Sequence, residues 1–516
     1  MRHLQFESYD RLALLGIIAL ATIGFAIGLG NHGPIPSMET RFAVAVQQML
    51  LHHQWLIPEK NGLPYIEYPP FYYWLSMLLA KAGLPLLPAI RLPNLIALWI
   101  WFAAVYRLGR RLVPGLPRWL LPAAALVSPA VLYNFFVAQT DGWLAAGVTL
   151  ALLGYVNAPQ PRRFPWLLWG GTALAVFAKG PLGLVLVVLA IGGERLLAVG
   201  VGALAWKKFP QAILALRPLR GTALALAPLA AWYLACGLFV SWDFVRAAFV
   251  YNNITRFLAG AGGHDNPWWL YGQTIWGDYF PWSLALPLGL ILAIRRLRQF
   301  SPRLLFAWSI TLIIFFSLSA SKQSKYLLPA VPAFTGLALM ALAWVFRRHT
   351  AGLHRTMAVW IGIILLFFGV IIATWLPFAS AHIDDNHSYA QLKGRVAAAP
   401  GPIVMYGWPR SLVLWQLGAP MPWFRDSRSL YGAIHSGKLR AGAYLLVPHS
   451  DLARYGARGT QILSPAPAPP YLRYITSLHS KGGFEVYRVL AGAKLAPLPK
   501  TPLPAPPRWW DRFDTD

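Results

Sequence analysis

The chain has 516 residues, 57% of them hydrophobic and only 12% charged, whereas a soluble protein carries roughly twice that charged fraction. Its net charge of +27 invites a nucleic-acid reading, but the bases sit in short clusters between apolar runs, the positive-inside pattern of membrane proteins. Nucleic acid is therefore set aside as a partner, and the single cysteine, Cys236, excludes disulfides and Cys-based metal sites.

Apolar runs of about 17–25 residues recur over the first three quarters of the chain, the length that crosses a bilayer as helix. They predict an α-helical polytopic membrane protein with about 11–13 transmembrane helices. The first span covers residues 12–29; no small-residue cleavage site follows, so it reads as an uncleaved helix. A long first external loop, residues 31–87, comes next, and residues 70–84 within it read as a helix lying in the interface. Span two, residues 88–106, ends on Arg107, Arg110 and Arg111, and span three, residues 119–138, leads out to Asp141. Later spans bracket Lys179 and return repeatedly to basic turnarounds such as Arg295, Arg296 and Arg298.

Between Arg107 and Arg355 the even-numbered turnarounds carry 18 Lys or Arg and one acid, Glu194; the opposite loops, from Asn31 to Lys325, carry nine bases and seven acids. The lopsided set is assigned to the cytoplasm and the mixed set to the outside. From about residue 379 the pattern changes to strand-length apolar runs (402–406, 443–447 and 484–489) with helix-like segments between them. The expected domains are a transmembrane domain over 1–378, a small C-terminal extracytoplasmic α/β domain over 379–494 and a Pro-rich tail over 495–516.

Charged residues are scarce, so those at apolar helix ends on the external side are the candidates for chemistry. Glu39, Glu67 and Asp141 are such acids; a carboxylate there can act as a base toward an acceptor hydroxyl or hold a divalent cation. Helix capping, or an ion pair with Arg41 or Lys60, is the plain alternative. Arg41, Arg256, Lys322 and Lys325 are external bases suited to phosphate, or to anchoring at anionic lipid headgroups. The segment from Lys322 to Tyr326 is denser in charge than anchoring needs. His264-Asp265-Asn266-Pro267-Trp268-Trp269 offers a metal or sugar contact, although Trp pairs at an interface are more often belt residues.

Several of these stretches resemble one family when read together. Glu39-Thr-Arg41-Phe-Ala, Asn61-Gly-Leu-Pro-Tyr65-Ile-Glu67-Tyr-Pro69-Pro70 and the Asp141 that follows a span are similar to the integral-membrane C-type glycosyltransferases. Within that superfamily the chain resembles the bacterial lipid A aminoarabinose transferases and their protein O-mannosyltransferase relatives. The likeness extends through Asn253-Ile-Thr-Arg256-Phe257, Asn266-Pro-Trp-Trp, Phe280-Pro-Trp-Ser283 and Ser321-Lys322 to Tyr326-Leu-Leu-Pro329, and covers residues 10–350.

The resemblance implies inverting transfer of a sugar from a polyprenyl-phosphate donor to a glycolipid, glycan or protein acceptor of the envelope. It places the protein in a bacterial inner membrane with the site facing the periplasm. It makes Glu39 and Asp141 the catalytic acids and candidate metal ligands, and Arg41, Tyr65, Glu67, Arg256, Lys322, Lys325 and Tyr326 the donor contacts. Two positions depart from the family pattern: Met38 stands where the leading Asp of an acidic pair is expected, and Tyr68 where a phosphate-contacting Lys is. The rival readings are a transporter or flippase for a lipid-linked sugar, and a catalytically inactive binding paralogue. Transport predicts charges near the midplane of paired, broken spans, whereas the charges here gather at one face.

Overall fold

Inside a bilayer every backbone N–H and C=O must be paired within the protein, so apolar runs of this kind fold as helices. The computed structural model describes residues 2–35, 38–158, 164–200, 210, 213–259, 266–348, 350–382, 403–406, 411–424, 432–433, 436–439, 443–448, 463–465 and 484–489. In chain order its principal elements begin with α1 (Arg2–Ile27), α2 (Met38–Leu51), β1 (Glu59–Lys60), β2 (Leu63–Pro64), α3 (Phe71–Lys81) and α4 (Leu86–Leu112). Next come α5 (Leu120–Leu126), α6 (Pro129–Phe136), α7 (Asp141–Val156), α8 (Trp166–Lys179), α9 (Leu182–Val199) and α10 (Pro218–Phe239). The remainder are α11 (Leu270–Asp278), α12 (Leu286–Ile294), α13 (Phe300–Leu318), α14 (Val331–Val345), α15 (Thr350–Val370), β3 (Ile403–Tyr406), α16 (Ser411–Leu417), β4 (Trp423–Phe424), β5 (Tyr444–Pro448), β6 (Leu463–Pro465) and β7 (Phe484–Val489).

Among the described residues seven helices are long and apolar enough to cross a membrane, or eight if the bent pair α6 and α7 is one span. The protein is a multi-pass membrane protein. Shorter apolar helices such as α7, α8 and α12 are the other segments on which the expectation of about 11–13 spans rests.

The chain divides into two units. One comprises Met1–Asn31 and Ile66–Thr374, and the other His32–Tyr65 and Trp375–Asp516. In the first, α7 and α8 run antiparallel and nearly touch backbone to backbone. Glycine makes this possible: a Cβ on Gly154 of α7 would lie 2.1 Å from Leu168 N of α8, and one on Gly171 of α8 would lie 2.4 Å from Ala151 N. The buried Arg91 of α4 donates from Nη1 to the carbonyls of Gly28 and Leu29, each at 3.1 Å, meeting acceptors that the C-terminus of α1 leaves over. At the far end of α7 the fully buried Glu194 of α9 accepts from Arg303 Nε of α13 at 2.7 Å and from the Tyr155 hydroxyl. That network ties three helices together and satisfies a charge that would otherwise be costly to bury.

The second unit contains the predicted α/β fold. Its five-stranded sheet has the order β4-β3-β5-β7-β6, with β3 parallel to both β4 and β5 and with β7 antiparallel to β5 and β6. Part of the first loop belongs here too. Val44 of α2 lies in the same buried cluster as Ile403, Met405, Leu412, Leu414 and Leu446. Asn61, at the β1–β2 turn with φ 53°, donates from Nδ2 to the Met421 carbonyl at 3.1 Å and accepts the Met421 N–H on Oδ1 at 2.7 Å. This pairing mimics a strand exchange and fixes the hairpin on the sheet domain. The tail from residue 495 onward lies outside the described residues.

Candidate active site

The site is built on the break between α6 and α7. These two helices bend by 117° across residues 137–140, and a broken helix inside a membrane bundle needs other partners for its freed backbone groups. Asn94 of α4 supplies one, donating from Nδ2 to the Val137 carbonyl. Gln139 Nε2 supplies another contact, donating to Asn134 Oδ1 at 2.8 Å. Gln139, Thr140 and Asp141 are all buried. The turn thus delivers Asp141 as the first residue of α7, where a carboxylate is favoured by the positive end of the helix dipole.

Asp141 is only 1% exposed and is held between two ammonium groups. Lys179 Nζ donates to its Oδ1, and Lys325 Nζ stands 3.7 Å from its Oδ2. Lys325 also donates to Gln139 Oε1 at 3.3 Å. Lys179 closes α8, and Gly180 ends that helix with φ +79°, a conformation a side chain would resist. Its ammonium lies 5.4 Å from the centroid of the Tyr326 ring, a cation–π distance, and Tyr326 packs in turn on Phe316, centroids 5.3 Å apart.

The segment that carries Lys325 and Tyr326 is a single 3-10 stretch, Ser324–Ala330. Lys322 precedes it in extended backbone and is 6% exposed. Among the described residues no carboxylate pairs with its ammonium. Around Asp141 two ammonium groups, of Lys179 and Lys325, meet one carboxylate, and low-dielectric surroundings strengthen such interactions.

Of the residues singled out in the sequence, Asp141, Lys325 and Tyr326 meet here, with Lys322 on the same segment. Lys179 joins them, although the sequence marks it only as a charge bracketed by two spans. Its one signal is a lone lysine closing an apolar run before Gly180-Pro181. Glu67 is half-buried between β2 and α3, and beside it the Ile66 carbonyl accepts from Asn252 Nδ2. Arg256 begins a short helix, Arg256–Ala259, and its side chain lies outside the described residues.

Glu39, Arg41 and Tyr65 belong to the second unit. Glu39, in the first turn of α2, is fully buried and accepts the Ile35 N–H on Oε2 at 2.6 Å, so it holds the chain that leads into its helix. Arg41 is half-buried one turn in. Tyr65 is buried with the Lys60 ammonium 5.9 Å above its ring. Met38, at the head of α2, offers a thioether where the family pattern has an acid. His264 and Asp265 lie outside the described residues, whereas Asn266 is described.

Among the described residues no group of three or more His, Cys, Asp or Glu side chains is placed to hold a metal ion. Of the Asp141 oxygens, Oδ1 accepts from Lys179 Nζ and Oδ2 lies 3.7 Å from Lys325 Nζ.

Comparison with solved structures shows the fold first. The chain superposes on ArnT from Cupriavidus metallidurans bound to undecaprenyl phosphate with a TM-score of 0.69, covering 92% of this chain and 98% of that one at 16% identity. The archaeal oligosaccharyltransferase AglB from Archaeoglobus fulgidus superposes with a TM-score of 0.51 at 11% identity, covering 85% of this chain and 70% of that one. In sequence the chain is similar to an undecaprenyl phosphate-alpha-4-amino-4-deoxy-L-arabinose arabinosyl transferase of Pseudomonas fluorescens, 28% identical over 370 residues, which are 67% of this chain and 62% of that protein. A Pseudomonas aeruginosa enzyme of the same name is 29% identical over 321 residues, 60% of this chain and 55% of its own length. The chain thus spans about three fifths of the length of these relatives. No family model matches it.

Proposed function

We propose that the protein transfers a sugar from a polyprenyl-phosphate donor to an acceptor of the cell envelope, a glycolipid, glycan or protein, with inversion at the anomeric carbon. The observation that carries this reading is the buried Asp141 carboxylate flanked by Lys179 and Lys325, with Lys322 on the same segment. The names of the sequence relatives, which act on an undecaprenyl-phosphate donor, agree with such an anion site.

In this reading the three ammonium groups receive the donor phosphate, and Tyr326 fixes the direction of Lys179. The acceptor oxygen forms a bond to the anomeric carbon as the bond from that carbon to the phosphate oxygen breaks. The electron pair leaves with the polyprenyl phosphate, where the lysines stabilise the charge that develops. A phosphate leaving group needs no protonation, so the work is positioning and charge stabilisation. Asp141, between its lysines, holds them in register. The acceptor proton is assigned to Glu39 or Asp141, with Arg41, Tyr65, Glu67 and Arg256 as further donor contacts. No step is routed through a metal.

The site is assigned to the periplasmic face of a bacterial inner membrane, on the basis of the external placement of its charges in the count of Lys and Arg. Transfer from a labelled undecaprenyl-phosphate sugar by the protein in proteoliposomes tests the activity. The expected result is turnover that Lys322→Gln reduces strongly. Movement of the donor across the bilayer without transfer would instead establish a flippase, and binding alone an inactive paralogue.

A further inference from the structure

Lys322 has an ammonium with no ion-pair partner among the described residues, so no salt bridge fixes its direction. Its aim is set by the backbone that carries it. Residues 322 and 323 lie in neither helix nor strand, and extended backbone of this kind is held only by what its polar groups meet.

Two side chains from the stretch 266–271 meet it in turn. Asn266 donates from Nδ2 to the Lys322 carbonyl at 2.9 Å. The Tyr271 hydroxyl donates to the Gln323 carbonyl at 3.2 Å. The consecutive residues 322 and 323 are therefore each gripped from the same neighbouring segment. The Gln323 carbonyl also accepts the Tyr326 N–H at 3.1 Å, so the grip reaches the residue whose ring meets Lys179. Tyr271 is 1% exposed, and its own ring packs on Phe316, centroids 6.5 Å apart, the same ring on which Tyr326 rests.

We propose that Asn266 and Tyr271 are positioning residues for the lipid-phosphate site: they clamp the 322–323 backbone so that Lys322 and Lys325 are aimed at the phosphate before it arrives. This rests on the reading of those lysines as phosphate ligands. Preorganising a charged side chain removes the ordering cost from the binding step, so the clamp appears in donor affinity rather than in the chemical step. It also gives a use to the Asn266-Pro267-Trp268-Trp269 motif other than a sugar or metal contact. The two tryptophans stay 70% and 49% exposed, as belt residues do, while the asparagine, also exposed, holds the Lys322 carbonyl.

The test is binding of undecaprenyl phosphate to the full chain in nanodiscs, with uncharged undecaprenol as control. Tyr271→Phe and Asn266→Ala are each expected to weaken undecaprenyl phosphate about three- to tenfold, the size of one lost hydrogen bond. Undecaprenol binding should not change, and transfer kinetics should show the loss in KM rather than in kcat. In a Lys322→Gln, Lys325→Gln background, Tyr271→Phe should add nothing, because the clamp acts only through those lysines. Wild-type affinity in both Tyr271→Phe and Asn266→Ala, or an equal further loss in the lysine-free background, would overturn the clamp while leaving the phosphate site intact. If the lysine-free protein itself binds undecaprenyl phosphate normally, the phosphate reading falls and the clamp falls with it.

Discussion

Lys179 meets Asp141 because α7 begins where α8 ends: the first residue of one helix and the last of its antiparallel neighbour come together at one end of the pair. Both charges suit the helix dipoles at their positions. Removing the carboxylate leaves two half-buried ammonium groups without it. Asp141→Asn is therefore expected to destabilise the protein by about 3–5 kcal/mol, the usual effect of breaking a buried pair, and to lower transfer about a hundredfold or more. Thermal unfolding in detergent and the proteoliposome assay read the two effects. Lys179→Gln should act in the same direction, and the double variant should lose less than the sum.

The same helix pair makes a sharper prediction about packing. Gly154 and Gly171 let the two backbones approach so closely that a methyl group would overlap main-chain atoms, which cannot turn aside as a side chain can. Gly154→Ala and Gly171→Ala are expected to cost about 1–3 kcal/mol or more each and to weaken transfer by shifting Asp141 against Lys179. Gly170 is next in the chain, but a methyl group there would meet nothing within 4 Å, so it should accept Ala without loss. Equal behaviour of Gly170→Ala and Gly171→Ala in expression and melting would rule out this account.

The membrane class, the sheet-bearing C-terminal region and most of the anion cluster are legible in the sequence because each leaves a local mark. Long apolar runs announce spans, and a charge at the end of such a run is expensive enough to announce a role, which is what singles out Asp141, Lys322 and Lys325. Lys179 leaves a weaker mark, since a single lysine closing a helix is ordinary capping until Asp141 is placed opposite it. What cannot be read is the partnership of α2 with the C-terminal domain. Asn61 and Met421 are 360 residues apart, and periodicity along a chain carries no information about contacts at that separation.

That partnership is open to experiment through Asn61, which meets both polar groups of Met421 from a left-handed turn conformation. Asn tolerates that conformation better than other side chains with a Cβ. Asn61→Ala strands a buried donor and acceptor and adds backbone strain, about 2–4 kcal/mol together. Asn61→Gly relieves the strain but not the lost bonds and should fall between. Limited proteolysis of the C-terminal domain, faster in Asn61→Ala than in Asn61→Gly and slowest in the parent, is the expected order.

Asp141 also determines what a chelator does. A divalent ion there would have to displace Lys179 and Lys325 from the carboxylate oxygens, giving up two charge-assisted contacts. Exhaustive EDTA treatment is therefore expected to leave transfer at its starting rate. Loss of activity on chelation and recovery with a single divalent metal would show that the lysines move away from Asp141 in the working state.

Asp278 supplies a prediction with a definite sign in pH. It closes α11, outside the candidate spans. Burial holds its carboxyl above the usual carboxylate range, with the Ser324 hydroxyl working against that. The folded state therefore binds this proton more tightly than the unfolded chain does, and stability falls as pH rises from the ordinary carboxylate range through the raised value. An amide in its place is neutral throughout and can still accept from Ser324. Asp278→Asn should accordingly melt higher than the parent at neutral pH, and the gap should close as the pH is lowered below the ordinary carboxylate range. Neighbouring Tyr279, whose ionisation burial and the Asp278 charge push well upward, stays protonated across this window and adds no slope. A gap that is constant with pH, or that widens on acidification, would mean that the Asp278 carboxylate is stabilised by the fold and not strained by it.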